Sequence, residues 1–388
     1  MAIKISDLLC LDLLKGAKII AGKNGLDNEI KRVTFNDCPL DLDVNSKIIR
    51  SGDLYINSFY IVRDNKEQLI SFFKFYIENK SAGIFIIDEY LKEFPEEVIA
   101  MANTHNYPII LIYNNTPYAE IINAATGMIL FDQYDTIAEM KINNILDSHI
   151  TPEEMMKSIE YFNIDFKEHY SSVFIKINDD FSKKEKLIRS DLENIYSIDS
   201  YKYRNGLLAF FSYDDIKKHS ILISQISDLT SKYSKDYKIG ISNSFSNIMD
   251  FNHCINQCIC ACDLCDTTDN NIIYYNTLNV YKILYPMKEK LFLKEYMEEI
   301  LRPLEEYDKI HKLDLIKTLQ AYINNDGNYK KVGIEIAQHE NTARYRVSMA
   351  KKILNLESNH IDFIEQISIA FKINKILNKK GFFKAAQQ

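Results

Sequence analysis

Between Lys330 and Lys352 the sequence gathers side chains able to meet a polyanion: Lys330, Lys331, His339, Asn341, Thr342, Arg344, Tyr345, Arg346, Ser348, Lys351 and Lys352. Six Lys/Arg stand there against two acids, a local net of +4. The segment reads as two short helices, Asn328–Ala337 and Thr342–Leu354, joined by about four residues, the length of a helix-turn-helix. On the second, Ala343, Val347, Ala350 and Leu354 recur at offsets 0, 4, 7 and 11, one buried stripe. Arg344, Tyr345, Ser348, Lys351 and Lys352 then face outward. A recognition helix aims its first turns at base edges and sets cations against phosphates. Arg344, Lys351 and Lys352 are the candidates for those contacts, and Tyr345 for a hydrogen bond to phosphate. Asn341 and Thr342 are expected to cap the helix, because their side chains can accept a free N–H. His339 is open between turn packing and DNA contact. Arg346 flanks the stripe and is expected to brace the helix. The competing reading is a small bundle whose charged face is only solvated.

A second group is His253 with Cys254, Cys258, Cys260, Cys262 and Cys265. A helix would place Cys254, Cys258, Cys262 and Cys265 within an arc of about 80°, but spread them over about 16 Å of its axis. Four ligands so spaced cannot enclose one tetrahedral zinc ion. Core packing is therefore expected, with no metal site assigned. A thiol- or metal-responsive sensor, whose C-terminal bundle binds protein instead of DNA, stays open as the alternative.

Catalytic patterns are lacking. Gly16 to Gly22 followed by Lys23-Asn24 misses a phosphate loop by one residue of spacing and by the missing Ser/Thr. No H-E-x-x-H, G-x-S-x-G or G-x-G-x-x-G occurs. No catalytic residue, cofactor or enzymatic activity is expected.

These groups must be positioned by a chain of 388 residues, enough for two or three domains, with 46% hydrophobic residues to supply their cores. Charge is uneven. From His311 onward 13 Lys/Arg face 7 Asp/Glu, so the preceding residues carry −13 of the total −7. A basic end on an acidic body suggests one module that meets a polyanion. No run of 18 apolar residues is present, so no membrane contact is expected. The start, Met1 to Asp7, lacks the pattern of a secretory leader. The odd, clustered cysteines do not make a spread disulfide framework, and a reducing, cytoplasmic setting is expected.

Residues 1–132 alternate strands and helices, an α/β domain with a mainly parallel sheet. Its expected strands include Ile30–Phe35, Leu54–Phe59, Ala82–Ile87 and Ile109–Ile112. Ser6 is expected to cap a helix running through Leu14, and further helices span Asn65–Asn79 and follow Pro95 and Pro117. Residues 133–164 read as a helical linker whose Ile137, Met140, Ile145, Leu146 and Ile150 could pair two protomers. Residues 165–285 give the order βαββαβ with an extra helix, a ferredoxin-like α+β domain. Asn205-Gly206 is expected as a type I′ turn with positive φ at both residues. Residues 290–380 are all helical: Leu291–Leu301 with Pro303 at its end or a kink, Leu315–Ile323, the two short helices above, and Ile361–Leu377.

The run His339-Glu340-Asn341-Thr342-Ala343-Arg344-Tyr345-Arg346 resembles the H-x-N-T-x-x-Y-R signature of PucR/CdaR-type bacterial transcriptional regulators. Arg302-Pro303-Leu304, Tyr307-Asp308, Leu315, Thr318-Leu319, Tyr322, Asn328, Leu354 and Ala370 extend the likeness. Asp7-Leu8-Leu9, Gly16-Ala17, Ala21-Gly22, Gly25-Leu26, Gly52-Asp53-Leu54, Ala82-Gly83-Ile84 and Pro108 resemble the family's N-terminal domain. The middle segment is similar to its degenerate GGDEF-like domain. The resemblance implies a metabolite-responsive regulator of purine or related catabolic genes, binding double-stranded DNA as a homodimer or higher homo-oligomer and sensing a small effector. An active cyclase of the GGDEF type needs acidic residues on its hairpin. Tyr203-Arg204-Asn205-Gly206 has none, so a scaffold or sensor is implied. Three departures stand out: Glu340 where a basic residue is usual, Gly333 for a small Ala, and Ala343 for Leu or Val. Gly333 is expected to cost up to about 1 kcal/mol of helix stability.

Overall fold

The computed structural model of the chain describes residues 3–36, 49–91, 93–113, 116–162, 164–179, 181–267 and 270–377, and not the side chains of 182 and 183. Met1-Ala2, read above against a leader, and 378–380 of the expected helical domain lie outside the described residues. The chain divides into two compact units, Met1–Met140 and Lys141–Gln388.

The first unit is built on strands β1 (Lys18–Ala21), β2 (Arg32–Phe35), β3 (Asp53–Asn57), β4 (Gly83–Ile87) and β5 (Ile109–Ile112), in the order β1-β5-β4-β3-β2. Strands β2 to β5 run parallel, and β1 joins β5 antiparallel. Every residue of β3, β4 and β5 is buried; β4 and β5 are continuous apolar runs covered on both faces, whereas β3 also buries polar Asp53 and Asn57 at its ends. Helices α2 (Lys66–Glu78) and α3 (Glu96–Thr104) pack on one face through Phe72, Phe73, Tyr76, Val98 and Ala102. The other face is covered by α1 (Ile5–Leu8) and the start of α4 (Tyr118–Leu146), through Ile5, Leu8, Ile121 and Ala125.

Two expectations for this region are corrected. Helix α1 ends at Leu8, and Asp12–Leu14 is a separate 3-10 turn. Ser6 does not cap it. Its N–H donates to Leu26 O at 2.9 Å, and Asp7 receives the Lys4 N–H at 2.9 Å. The helix after Pro117 does not stop before a separate linker helix: α4 runs unbroken through Leu146, and only then does α5 (Pro152–Glu160) begin. No glycine or proline between Met128 and Leu146 interrupts it, and Thr151 with Glu154 forms a reciprocal cap on α5. Leu130, Phe131, Tyr134, Ile137 and Met140 are exposed along α4.

In the second unit, β6 (His169–Ile177), α6 (Phe181–Tyr196), β7 (Ser200–Tyr203), β8 (Gly206–Tyr213), α7 (Ile216–Tyr233) and β9 (Tyr237–Ile241) are followed by α8 (Phe251–Leu264) and β10 (Ile272–Tyr274). The sheet order is β10-β9-β6-β8-β7, antiparallel except for β9 with β10. Alternation sorts the faces. Val173, Ile175 and Ile239 pack under α6 and α7. Ser172 turns to α8, donating to Cys254 O at 2.9 Å. The expected hairpin turn shifts by one residue. Tyr203 pairs with Gly206, Arg204 and Asn205 occupy the centre, and the positive φ (51°) falls on Arg204. Gly206 instead opens β8, where a Cβ would stand 2.6 Å from Ile175 O. Close approach, not turn geometry, is what needs glycine there.

After the short α9 (Tyr281–Leu284), five α-helices follow among the described residues: α10 (Leu291–His311), α11 (Leu315–Asn324), α12 (Tyr329–Glu335), α13 (Glu340–Ile353) and α14 (His360–Leu377). Pro303 neither ends α10 nor stands near its end, because the helix continues to His311. The carbonyl that loses its partner belongs to Glu299, an exposed residue that water can serve. Among the described residues no helix is long and apolar enough to cross a membrane.

Candidate nucleic-acid interface

Helices α10 to α14 share one core of Leu304, Leu319, Val332, Val347, Phe363 and Ile367 among others. Ala343, Val347 and Ala350 of α13 are fully buried in it, as the stripe predicts. The residues left on the opposite side, Asn341, Arg344, Tyr345, Ser348 and Lys352, are all exposed and occupy an arc of about 100° at 100° per residue. The arc carries two cations, a phenol, a hydroxyl and an amide, and no acid. This donor-rich surface suits phosphates and base edges.

The turn that orients α13 is tight. Ala337 takes a left-handed conformation (φ 53°), and Gln338 N–H donates to Gly333 O at 2.8 Å. A Cβ on Gly333 would lie 2.7 Å from Gln338 O and 3.2 Å from Glu340 N. Gly333 is therefore not merely a weak helix former; its bare Cα lets α13 start against α12. His339 is the N-cap of α13, its Nδ1 accepting the Asn341 N–H at 3.2 Å. His339 thus has a structural part in the turn, and the expected cap is corrected: Asn341 and Thr342 lie inside the first turn. Glu340 is the first residue of the helix, where a carboxylate complements the positive end of the helix dipole. Asn328 caps α12, accepting the Lys331 N–H at 3.2 Å.

Of the expected contact residues, Lys330, Lys331, His339, Asn341, Arg344, Tyr345, Ser348 and Lys352 are exposed, and Thr342 is half-buried. The Arg344 guanidinium lies over the Tyr329 ring, 4.7 Å from its centre, which holds it at the α12 end of the face. Lys351 is half-buried and committed to α14: its Nζ is 3.0 Å from His360 Nδ1 and 5.4 Å from the centre of the Phe363 ring. Arg346 is removed from the contact set. It is 9% exposed, and its Nη1 donates to Thr318 Oγ1 on α11 at 3.1 Å. Its Nη2 is 3.9 Å from Asp314 Oδ2. The side chain braces α13 from behind.

Two residues that hold the motif had no role in the sequence reading. The Asp308 carboxylate accepts the first N–H groups of α11, from Leu315 at 2.8 Å and Ile316 at 3.1 Å. Thr318 receives Arg346. Both stand in the quoted likeness, Tyr307-Asp308 and Thr318-Leu319, which was the available signal.

The cysteines take the packing role. Cys254, Cys258, Cys260, Cys262 and Cys265 are all buried. Cys254 Sγ lies 3.2 Å from Ser172 Oγ and 3.3 Å from Ser242 Oγ. Burial pushes the Cys254 and Cys265 thiols up to about 11 and that of Cys260 to about 12, away from the reactive thiolate. Among the described residues no group of three His, Cys, Asp or Glu side chains is placed to hold a metal ion.

Residues 7–129 match the purine catabolism regulatory protein-like family, PucR, and residues 315–373 match the PucR C-terminal helix-turn-helix domain. The purine catabolism regulatory protein of Bacillus subtilis is 28% identical over 127 residues, 32% of this chain and 23% of that protein. The proline-responsive transcriptional activator PutR of the same organism is 25% identical over 122 residues, 31% of this chain and 30% of that protein. The DNA-binding transcriptional activator AdeR, also from B. subtilis, is 24% identical over 92 residues, 24% of this chain and 22% of that protein. The chain thus spans less than a third of the length of the curated relatives it matches.

Proposed function

We propose that this chain, which carries a PucR N-terminal domain and a PucR-type C-terminal helix-turn-helix domain, is a DNA-binding transcriptional regulator that answers a small metabolite. The observation that carries this reading is the acid-free exposed face of α13, lying opposite a fully buried Ala343–Val347–Ala350 stripe. Arg344, Tyr345, Ser348, Asn341 and Lys352 enter the major groove, and Lys330 and Lys331 at the start of α12 meet the flanking phosphates. Lys351 reaches the backbone only by giving up His360.

The chain works as a homodimer on paired half-sites, and the exposed apolar residues of α4 support a pairing surface. We read the middle sheet as a ferredoxin-like, degenerate GGDEF-like domain. Its order β9-β6-β8-β7 within the element sequence βαββαβ supports this. It serves as a scaffold or sensor instead of an enzyme, a reading supported by a hairpin turn with no carboxylate. Relatives named for purine catabolism and for proline response support control of purine or related catabolic genes.

The test is fluorescence anisotropy of the full chain with a labelled duplex from upstream of its own gene, over a salt series. Log affinity should fall linearly with log salt, with a slope of several units. Absence of binding at low salt, or binding indifferent to salt, contradicts the reading.

A further inference from the structure

A pocket of about 480 Å³ opens where the middle sheet meets the last helix, within the range that takes a small molecule. Its walls are mostly apolar, including Leu264 of α8, Ile273 of the edge strand β10, Leu278 and Val280. Among the described residues, Lys372 of α14 is the one charged side chain lining it. Among the described residues no carboxylate lies within ion-pair distance of Lys372; its Nζ donates to Ser368 Oγ at 2.6 Å. Partial burial, with Lys375 nearby, holds its ammonium below the ordinary lysine value. Asn279, also in the lining, is held at φ 48° and ψ −127°, a strained backbone for a non-glycine residue. Such strain collects at ligand clamps.

We propose that this pocket binds a small organic anion, an apolar body bearing a single carboxylate, with Lys372 as its counter-ion. One half-buried cation suits one negative charge; a phosphate would bring a second charge with no further cation among the described lining residues. The site ties the sensor to the DNA-binding module. Leu264, Ile273 and Leu278 share a core with Ile373 and Ile376 of α14. The other end of α14, through Phe363, Ile367 and Ala370, packs in the core that buries α13. A ligand bridging β10 and α14 favours the docked arrangement over any other and so biases α13. This last step rests on the DNA-binding reading; the binding itself does not.

The test uses the full chain and the straight-chain carboxylates butanoate, hexanoate and octanoate, with hexanamide as the neutral control. Thermal unfolding and calorimetry read binding without DNA, so failure here leaves the DNA reading standing. At least one carboxylate should raise the melting temperature and bind saturably, while hexanamide does not. Lys372→Gln should weaken binding at least tenfold, and Lys372→Arg should retain it. If Lys372→Gln does not fold, the wild-type chain with methyl-labelled lysines is titrated, and the Lys372 resonance should move with saturation. No response to any of the three acids, equal binding of hexanamide, or a stationary Lys372 signal overturns the proposal. DNA gel shifts with and without the binding acid then read the coupling.

Discussion

Arg346 and Thr318 join α13 to α11 behind it: the Arg346 Nη1 donates to Thr318 Oγ1 at 3.1 Å, and Thr318 Oγ1 donates in turn to Asp314 O at 2.8 Å. The guanidinium is buried and its Nε has no partner among the described residues, so the contact fixes a helix orientation at some cost. Arg346→Ala should lower unfolding stability by roughly 1.5–3 kcal/mol, the range for hydrogen bonds to charged groups. Arg346→Lys should recover little, because an ammonium cannot present the planar fork. Urea denaturation checks both; a change below about 0.5 kcal/mol, as at ordinary surface sites, would deny the brace.

Gly333→Ala tests the inter-helix turn. Helix propensity alone predicts a gain of up to about 1 kcal/mol. The 2.7 Å approach of a Cβ to Gln338 O predicts the opposite sign. The variant should be less stable than wild type, and its DNA affinity should drop at every salt concentration. A stabilised variant would show that the turn has room.

These two sites mark what the sequence could and could not convey. Strand β5 appears residue for residue where its apolar run lies, because a strand buried on both faces advertises itself, and β9 keeps its expected bounds although Tyr237 and Lys238 are only half-buried. The α13 stripe is equally legible, since periodicity alone decides which face is hidden. Arg346 was not fully legible: a cation beside a stripe can turn either way, and only Thr318 on another helix decides. Strand β1 went unread because its apolar run is only Ile19-Ile20-Ala21, between Lys18 and Gly22, too short to mark a strand. Helix α4 was divided because its apolar pattern is spread around the helix and marks no boundary. Asn205-Gly206 misled by one residue because glycine there answers a contact from β6, which local sequence cannot show.

The α8 cysteines should be silent in the folded state. Their thiols are buried and pushed upward, whereas Cys10 is exposed. An aromatic disulfide reagent at pH 8 should modify Cys10 rapidly, and Cys254, Cys258, Cys260, Cys262 and Cys265 only after denaturant is added, as read by mass mapping. Fast native labelling of Cys254 or Cys262 would revive a thiol sensor.

His219 gives the middle domain a pH signature. Burial lowers its imidazole below the ordinary value, and Nε2 is buried beside Phe211 and Tyr213 with no partner among the described residues. The unfolded chain therefore takes up this proton more readily than the folded one. Stability from this group is full above the unfolded value near 6.5 and is lost as pH falls from there through the lower folded value. His219→Phe should lose less stability than wild type between pH 7.5 and pH 5.5 in urea titrations. An identical loss in both would mean that His219 is freely protonated in the fold.

The most direct measurement is the salt-dependent affinity of Arg344→Ala/Lys352→Ala for the upstream duplex, with circular dichroism as the control for folding. Neither side chain enters the buried core of α13, so the double variant should keep the wild-type spectrum and melting point. Its binding should weaken at least tenfold at fixed salt, with the log–log slope shallower by about one to two units. A folded double variant that binds as tightly as wild type, with the same slope, would place the DNA contact elsewhere and contradict the assignment of α13.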